Sequence, residues 1–135
     1  MKPPFRQGVV VGKFWPFHRG HQLLIDTASR ACEKLFVILA YEEGQVPSGE
    51  ERHTAMLRHY RGTNVTVVRF PDDHSVDPEM WRRNCRACCG DDFAPDVVFT
   101  GEDYGQPFAE ALGAACVTVD QRRLTVPVSG TVIRS

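Results

Sequence analysis

The sequence lacks several features that define common classes of protein. No apolar run approaches the ~20 residues of a membrane span, and the first one, Gly8–Gly12, is too short for a signal-peptide core. A net charge of −1 argues against a long nucleic-acid footprint, which needs clustered cations. The P-loop pattern G-x-x-x-x-G-K-[ST] is also missing, so no kinase of that kind is expected in these residues. We therefore expect a cytoplasmic protein without membrane or nucleic-acid partners.

The bulk composition is that of one globular domain. The chain has 135 residues, of which 42% are hydrophobic and 24% are charged, and a domain of this size can bury a sizeable core. Five cysteines without an export signal predict reduced thiols rather than a disulfide framework. Cys85, Cys88 and Cys89 raise the question of zinc, but no second C-x-x-C or His pair accompanies them, so thiols on a helix face are the preferred interpretation. We expect a single domain over residues 1–135.

Short β-branched runs alternate with helical stretches along the chain. Strands are predicted at Val9–Gly12, Leu35–Tyr41, Asn64–Phe70, Asp96–Thr100 and Cys116–Asp120. Helices are predicted at Gly20–Glu33, from Ser48 to about Tyr60, from Pro78 onward with Asp77 as the N-cap, and at Gln106–Leu112. This alternation predicts an α/β fold, a Rossmann-like open parallel sheet of five strands with helices on both faces. Ligands in such folds bind beyond the carboxyl ends of the strands, at the switch point.

The first chemically informative segment lies between the first strand and the first helix. It reads Gly-Lys-Phe-Trp-Pro-Phe-His-Arg-Gly-His over residues 12–21, so that His18 and His21 flank the start of a helix. Two imidazoles in this position lie close enough to converge on one anion, and the helix dipole favours negative charge there. Gly20 leaves room for close backbone approach, and a histidine can also carry a proton near neutral pH. The segment predicts a phosphate site.

The second segment, Ser-Gly-Thr-Val-Ile-Arg over residues 129–134, follows the last predicted strand. Ser129 can cap a helix, Thr131 and backbone amides then face an anion, and Arg134 offers a guanidinium fork to phosphate oxygens. Taken alone, the segment also reads as an ordinary turn followed by a solvated arginine. Its interpretation as a site depends on its pairing with the first segment.

Together the two segments resemble the H-x-G-H and S-x-T-x-x-R signatures of the nucleotidyltransferase superfamily. The run Gly-Lys-Phe-Trp-Pro-Phe-His is similar to the G-[KR]-F-x-P-x-H form of nicotinamide-mononucleotide adenylyltransferases, in particular the NadR type. Lys13 and Trp15 depart from the G-T-F-D form of the pantetheine-phosphate and glycerol-phosphate branches. The resemblance covers nearly the whole chain, and it implies an adenylyltransferase domain that joins ATP to nicotinamide mononucleotide (NMN) and releases pyrophosphate.

The resemblance also implies roles for individual residues. The catalytic set is His18, His21, Lys13 and Arg134. The ATP-binding set is Gly12, Phe14, His18, His21, Gly101, Glu102, Ser129, Thr131 and Arg134. The NMN-binding set is Lys13, Arg52, Trp81 and Arg123, in which Arg52 faces the substrate phosphate and Trp81 stacks on nicotinamide or else packs as ordinary core. His53 and His59 are interpreted as surface or partly packed residues of a predicted helix, the run Asp72–His74 as a solvated loop, and Glu42–Gly49 as a loop.

The implied reaction is an in-line attack of the NMN phosphate on the α-phosphorus of ATP. The attacking phosphate is already anionic, so catalysis consists of positioning and charge stabilisation. Mg²⁺ is expected to arrive with ATP, held largely by phosphate oxygens and water, because no convincing carboxylate cluster is evident. Two alternatives stay open: another phosphorylated acceptor or nucleotide, as in pantetheine-phosphate or cytidylyltransferases, and a nucleotide-sensing module without turnover. The oligomeric state is open too, a homo-oligomer included.

Overall fold

Five strands and four helices alternate along the chain in the computed structural model, which describes residues 2–15, 17–74, 77–101 and 105–119. The strands are β1 (Phe5–Gly12), β2 (Cys32–Tyr41), β3 (Val65–Pro71), β4 (Val97–Thr100) and β5 (Ala115–Thr118). The helices are α1 (Arg19–Arg30), α2 (Gly49–His59), α3 (Pro78–Cys89) and α4 (Gly105–Leu112). All described strand pairs are parallel, in the order β3-β2-β1-β4-β5. The predicted fold class is confirmed.

The sheet is covered on both faces, which explains the uninterrupted apolar run in β2. Leu35, Val37 and Leu39 join the core under α1 and α2, whereas Phe36 and Ile38 point the other way and pack under α3 and α4. All five are at most 4% exposed. Because side chains alternate along a strand, only a strand buried on both faces reads as continuously apolar.

Two predicted helix starts are confirmed in detail. The Ser48 hydroxyl accepts the Glu51 backbone N–H at 3.1 Å. Asp77 Oδ1 accepts the Glu79 N–H at 3.0 Å, with Pro78 at the first helical position. Each cap satisfies a donor that the helix itself cannot pair.

Three predicted boundaries were wrong by three residues or more: the end of α1, the start of β2 and the start of β1. Cys32 had been placed on the first helix by its spacing, but Ala31 caps α1 and Cys32 opens β2, opposite Phe5. β1 starts at Phe5 rather than Val9, because the strand extends beyond its buried segment while keeping its pairing to β2. Asp120, the predicted end of the fifth strand, lies outside the described residues. None of the helices in the described ranges combines the length and apolarity needed to cross a bilayer.

Candidate active site

The switch point of the sheet lies at the carboxyl end of β1. β1 is flanked by β2 and β4, and the helices that follow these two halves of the sheet pack on opposite faces. A crevice therefore opens where the connections diverge, which is where open α/β sheets bind ligands. The predicted phosphate segment leaves β1 at this point.

The paired imidazoles form the cap of α1. His18 is the N-cap, and its Nδ1 atom accepts the backbone N–H groups of Gly20 at 3.0 Å and His21 at 3.4 Å. His21 Nδ1 accepts the His18 backbone N–H at 3.2 Å. The two rings stack, with centroids 3.7 Å apart and planes 20° from parallel. Imidazoles thus replace the usual hydroxyl and carboxylate of a capping box.

These hydrogen bonds locate the proton on each ring. A ring nitrogen that accepts from an N–H group carries no proton in that contact, so the cap uses Nδ1 of each ring and leaves Nε2 as the N–H donor. The sequence had allowed for an imidazole with a full positive charge, but protonating Nδ1 would break the cap. Each ring therefore acts on an anion as an Nε2–H donor beside the positive end of the helix. The Nε2 atom of His18 is buried and His21 is half-buried, so His21 is the better placed to reach a ligand.

Aromatic side chains hold this loop in place. Phe14 is 2% exposed, has φ +49°, and meets the His21 ring edge-on at 5.0 Å between centroids. Phe17 lies nearly parallel to the same ring at 6.3 Å. A Cβ at Gly12 would lie 3.2 Å from Phe14 Cζ, a tight contact that the ring would have to relieve by a small shift. Phe14, predicted to contact ATP, therefore has its side chain in the core.

A chain of polar contacts links the phosphate loop to the ends of β2 and β3. Lys13 Nζ lies 3.6 Å from a carboxylate oxygen of Glu42, and His74 Nε2 contacts the other oxygen. Asp72 Oδ1 accepts the His74 backbone N–H at 2.9 Å. The Lys13 and Glu42 side chains are 49% and 35% exposed, and an exposed pair of this kind contributes little free energy. The Lys13 ammonium can therefore exchange its contact with Glu42 for a phosphate oxygen with little loss of free energy.

Arg52 is buried at the base of the loop after β2. Its guanidinium donates to Gln45 Oε1 at 2.6 Å and to the Pro47 carbonyl at 2.9 Å, and it is 3% exposed. Gln45 Oε1 also accepts the Glu42 backbone N–H, while Trp15 Nε1 donates to the Val46 carbonyl at 2.9 Å. Burial lowers the pKa of Arg52, and within the described ranges no carboxylate pairs with it. The arginine predicted to hold a phosphate thus also fixes the loop that contacts Trp15.

Two adjoining cavities open on the other face of the sheet, with volumes of about 300 and 270 Å³. They share Val11 of β1, Trp81 of α3 and Phe108 of α4. The larger one extends to Asp72, Asp73 and Asn84, whereas the smaller one reaches Thr100 and Gly105 at the end of β4. An apolar cleft with a few polar groups at its rim is the usual form of a small-molecule site.

The structure brings together part of the predicted site. The loop between β1 and α1 carries Gly12, Lys13, His18 and His21. Arg52 lies at the base of the neighbouring loop after β2, which contacts Trp15. Gly101 is exposed directly after β4. Trp81 lines both cavities, which start at Val11 one residue before the phosphate loop. The predicted site residues that lie outside the described part of the chain are Glu102, Arg123, Ser129, Thr131 and Arg134. Their roles stay predictions.

Sequence reasoning missed the acidic rim of the site. Asp72 to His74 was interpreted as a solvated loop and Glu42 as plain loop, yet they contact one another and Asp72 and Asp73 line the larger cavity. A positional signal was available, because Glu42 directly follows β2 and Asp72 directly follows β3. The carboxyl ends of neighbouring parallel strands meet at one edge of a sheet.

Similar proteins were found among curated sequences, although no protein-family model matches the chain. The trifunctional NAD biosynthesis/regulator protein NadR of Escherichia coli (strain K12) is 26% identical over 94% of this chain and 36% of its own length. NadR of Salmonella typhimurium is 27% identical over the same shares. The chain thus spans about a third of the length of the curated relatives it matches.

Similar folds were found among solved structures. A bifunctional NMN adenylyltransferase/ADP-ribose pyrophosphatase of Francisella tularensis, complexed with AMP and a manganese ion, matches with a TM-score of 0.64 at 18% identity, over 86% of this chain and 37% of that one. A NadR protein in complex with NAD and AMP-PNP matches with a TM-score of 0.63 at 15% identity, over 92% and 40%. At these identities the match shows a shared fold.

The solved structures share the Rossmann-like sheet of this chain. The predicted resemblance to the NadR type is confirmed, since both curated relatives carry that name.

Proposed function

We propose that this chain is an adenylyltransferase that joins ATP to NMN, giving NAD and pyrophosphate. The proposal is supported by the point at the end of β1 where the chain connections diverge to opposite faces of the sheet. A helix cap built from two imidazoles lies on one side of this point, and a Trp81-lined cavity lies on the other. A dinucleotide laid across this point would place its pyrophosphate at the cap and a base in the cavity.

The phosphate side of the site supplies donors rather than a base. The attacking phosphate is already anionic, so no residue has to remove a proton from it. His21 Nε2–H and the amino end of α1 stabilise charge as it develops on the α-phosphate. Lys13 exchanges its exposed contact with Glu42 for a phosphate oxygen. Arg52, a buried cation without a described carboxylate, would gain an anion when the NMN phosphate reaches the loop.

The acceptor side suits a flat, neutral heterocycle. The Trp81 indole and the Phe108 ring lie 6.1 Å apart at the boundary of the two cavities, and an aromatic face favours stacking. The charged residues that line the larger cavity, among those described, are Asp72 and Asp73, with Asn84 hydrogen-bonded to Asp73 at 3.3 Å. Carboxylates accept from an amide N–H₂ group and repel another carboxylate. This charge favours the nicotinamide form of the acceptor over the nicotinate form.

The described residues do not fit a protein-held magnesium ion. The group whose ligand atoms converge is Glu42, Asp72 and His74, but Mg²⁺ prefers oxygen ligands in octahedral geometry. A histidine nitrogen is a member of this group, and the Lys13 ammonium lies 3.6 Å from Glu42. We therefore expect Mg²⁺ to be bound by ATP oxygens and water.

Pyrophosphate release by the purified chain tests the proposal. ATP is supplied with NMN, nicotinate mononucleotide, pantetheine phosphate and no acceptor, and CTP replaces ATP in a parallel series. We expect release with ATP and NMN, in a one-to-one ratio to NAD. Tight ATP binding without release for any acceptor would instead support a nucleotide sensor, and release with a different pair would reassign the substrates.

A further inference from the structure

Three cysteines occupy the part of α3 that packs beside the larger cavity. Cys85 is buried, while Cys88 and Cys89 are half-buried. Cys85 and Cys88 line the cavity together with Trp81. The Sγ atoms of Cys88 and Cys89 lie 3.8 Å apart. The proposed transfer reaction uses none of these thiols.

We propose that Cys88 is a thiol-modification site in the wall of this cavity, where S-thiolation by a low-molecular-weight disulfide prevents the nucleotide acceptor from binding. The Cys88 thiolate attacks one sulfur of the disulfide and forms a mixed disulfide with it. The other half leaves as a thiolate, and the Cys88 proton goes to solvent. The identity of the displaced acceptor rests on the proposed function, whereas the reactivity of the thiol does not.

The surroundings of the thiols select Cys88. The Cys88 and Cys89 thiols are in hydrogen-bond contact, and this contact lowers the pKa of Cys88. Burial raises the pKa of Cys85 to about 12 and that of Cys32 to about 11. The thiolate is the reacting form, so a half-buried cysteine with a lowered pKa reacts before buried ones with raised values.

The helix prevents the adduct from resolving into a disulfide with its neighbour. Adjacent Cα atoms across a trans peptide are ~3.8 Å apart, below the ~4.4–6.8 Å that disulfides usually require. Cys88 and Cys89 are consecutive residues inside α3. Bridging them needs backbone movement, so Cys89 does not resolve a mixed disulfide on Cys88.

The adduct occupies space that a ligand needs. The cavity of about 300 Å³ is bounded by Trp81 and Phe70 as well as Cys88, and this volume is at the lower end for small-molecule sites. A substituent on Cys88 Sγ therefore competes with the acceptor and leaves the phosphate loop on the other face of the sheet untouched.

The test treats the reduced protein with 2-hydroxyethyl disulfide and maps adducts by peptide mass spectrometry. We expect the first adduct on Cys88, with a KM for NMN raised about tenfold or more and an unchanged KM for ATP, reversed by dithiothreitol. Cys89→Ala should slow labelling at neutral pH because it removes the contact that lowers the pKa of Cys88. In Cys88→Ser, and in Cys88→Ala as a second variant, the disulfide treatment should leave the KM for NMN unchanged. Cys116→Ser is the matched control, and its KM for NMN should rise on treatment as in the parent.

Two results would overturn the inference. One is a first adduct on another cysteine, and the other is full labelling of Cys88 with an unaltered KM for NMN. Absence of pyrophosphate release with every acceptor would refute the proposed function, whereas the adduct map would still decide whether Cys88 is the reactive thiol.

Discussion

Replacing His21 by asparagine separates the two roles that the structure gives to this ring. Asn Oδ1 lies near the position of Nδ1, so the contact with the His18 backbone N–H is retained, while the Nε2–H donor is lost. Removal of one preorganised donor from a transition state costs about 100- to 1,000-fold in turnover, or ~3–4 kcal/mol. Stability should fall by about 1–2 kcal/mol, because the ring contacts with His18, Phe14 and Phe17 disappear.

Two further variants calibrate this result. His21→Ala also removes the capping contact and should lose about 1 kcal/mol more, or ~4 °C in Tm. His59→Asn makes the same substitution at an exposed imidazole that contacts Phe17 at 5.8 Å outside the site, and it should turn over like the parent. The assays are pyrophosphate release and thermal unfolding. Turnover of His21→Asn within twofold of the parent would refute the donor role, and equal loss in His59→Asn would show a general effect of ring removal.

Three other substitutions test the rest of the site and its support. Trp81→Ala should raise the KM for NMN about tenfold while leaving that for ATP unchanged in steady-state kinetics; equal effects on both would indicate core damage. Arg52→Lys should lose about 2 kcal/mol in urea unfolding, because lysine cannot reproduce the fork to Gln45 and Pro47; an unchanged midpoint would contradict this. Tyr60→Phe should be as stable as the parent or up to about 1 kcal/mol more, since the buried hydroxyl makes no hydrogen bond within the described ranges. Burial raises the pKa of Tyr60 above its ordinary 10.0, so the parent should lose stability above that pH and the variant less so.

The fold was predictable because its signals are local or periodic. The run Leu35–Tyr41 favoured a strand covered on both faces, and Ser48 and Asp77 marked helix starts through their own side chains. Cys32 was wrongly predicted to lie on the first helix because it keeps the helical spacing beyond the end of α1. A buried strand residue one turn beyond a helix satisfies the same spacing, and the sequence does not reveal where the chain turns.

The site was predictable in its residue types more than in its chemistry. His18 and His21 were identified from their position after β1, but the use of Nδ1 in the helix cap, which leaves Nε2 for a ligand, follows from contacts that need coordinates. Arg52 was expected to face a ligand, yet its bonds to the loop after β2 depend on how that loop folds back. Asp73 joined the cavity through the packing of α3, which no local pattern encodes.

A crystal structure of the chain with bound NAD would locate the pyrophosphate and both bases. We expect the pyrophosphate at the amino end of α1, within about 3 Å of His21 Nε2, and the nicotinamide ring against Trp81 with its amide toward Asp73. A dinucleotide bound elsewhere, or one whose pyrophosphate lies away from the paired imidazoles, would contradict it.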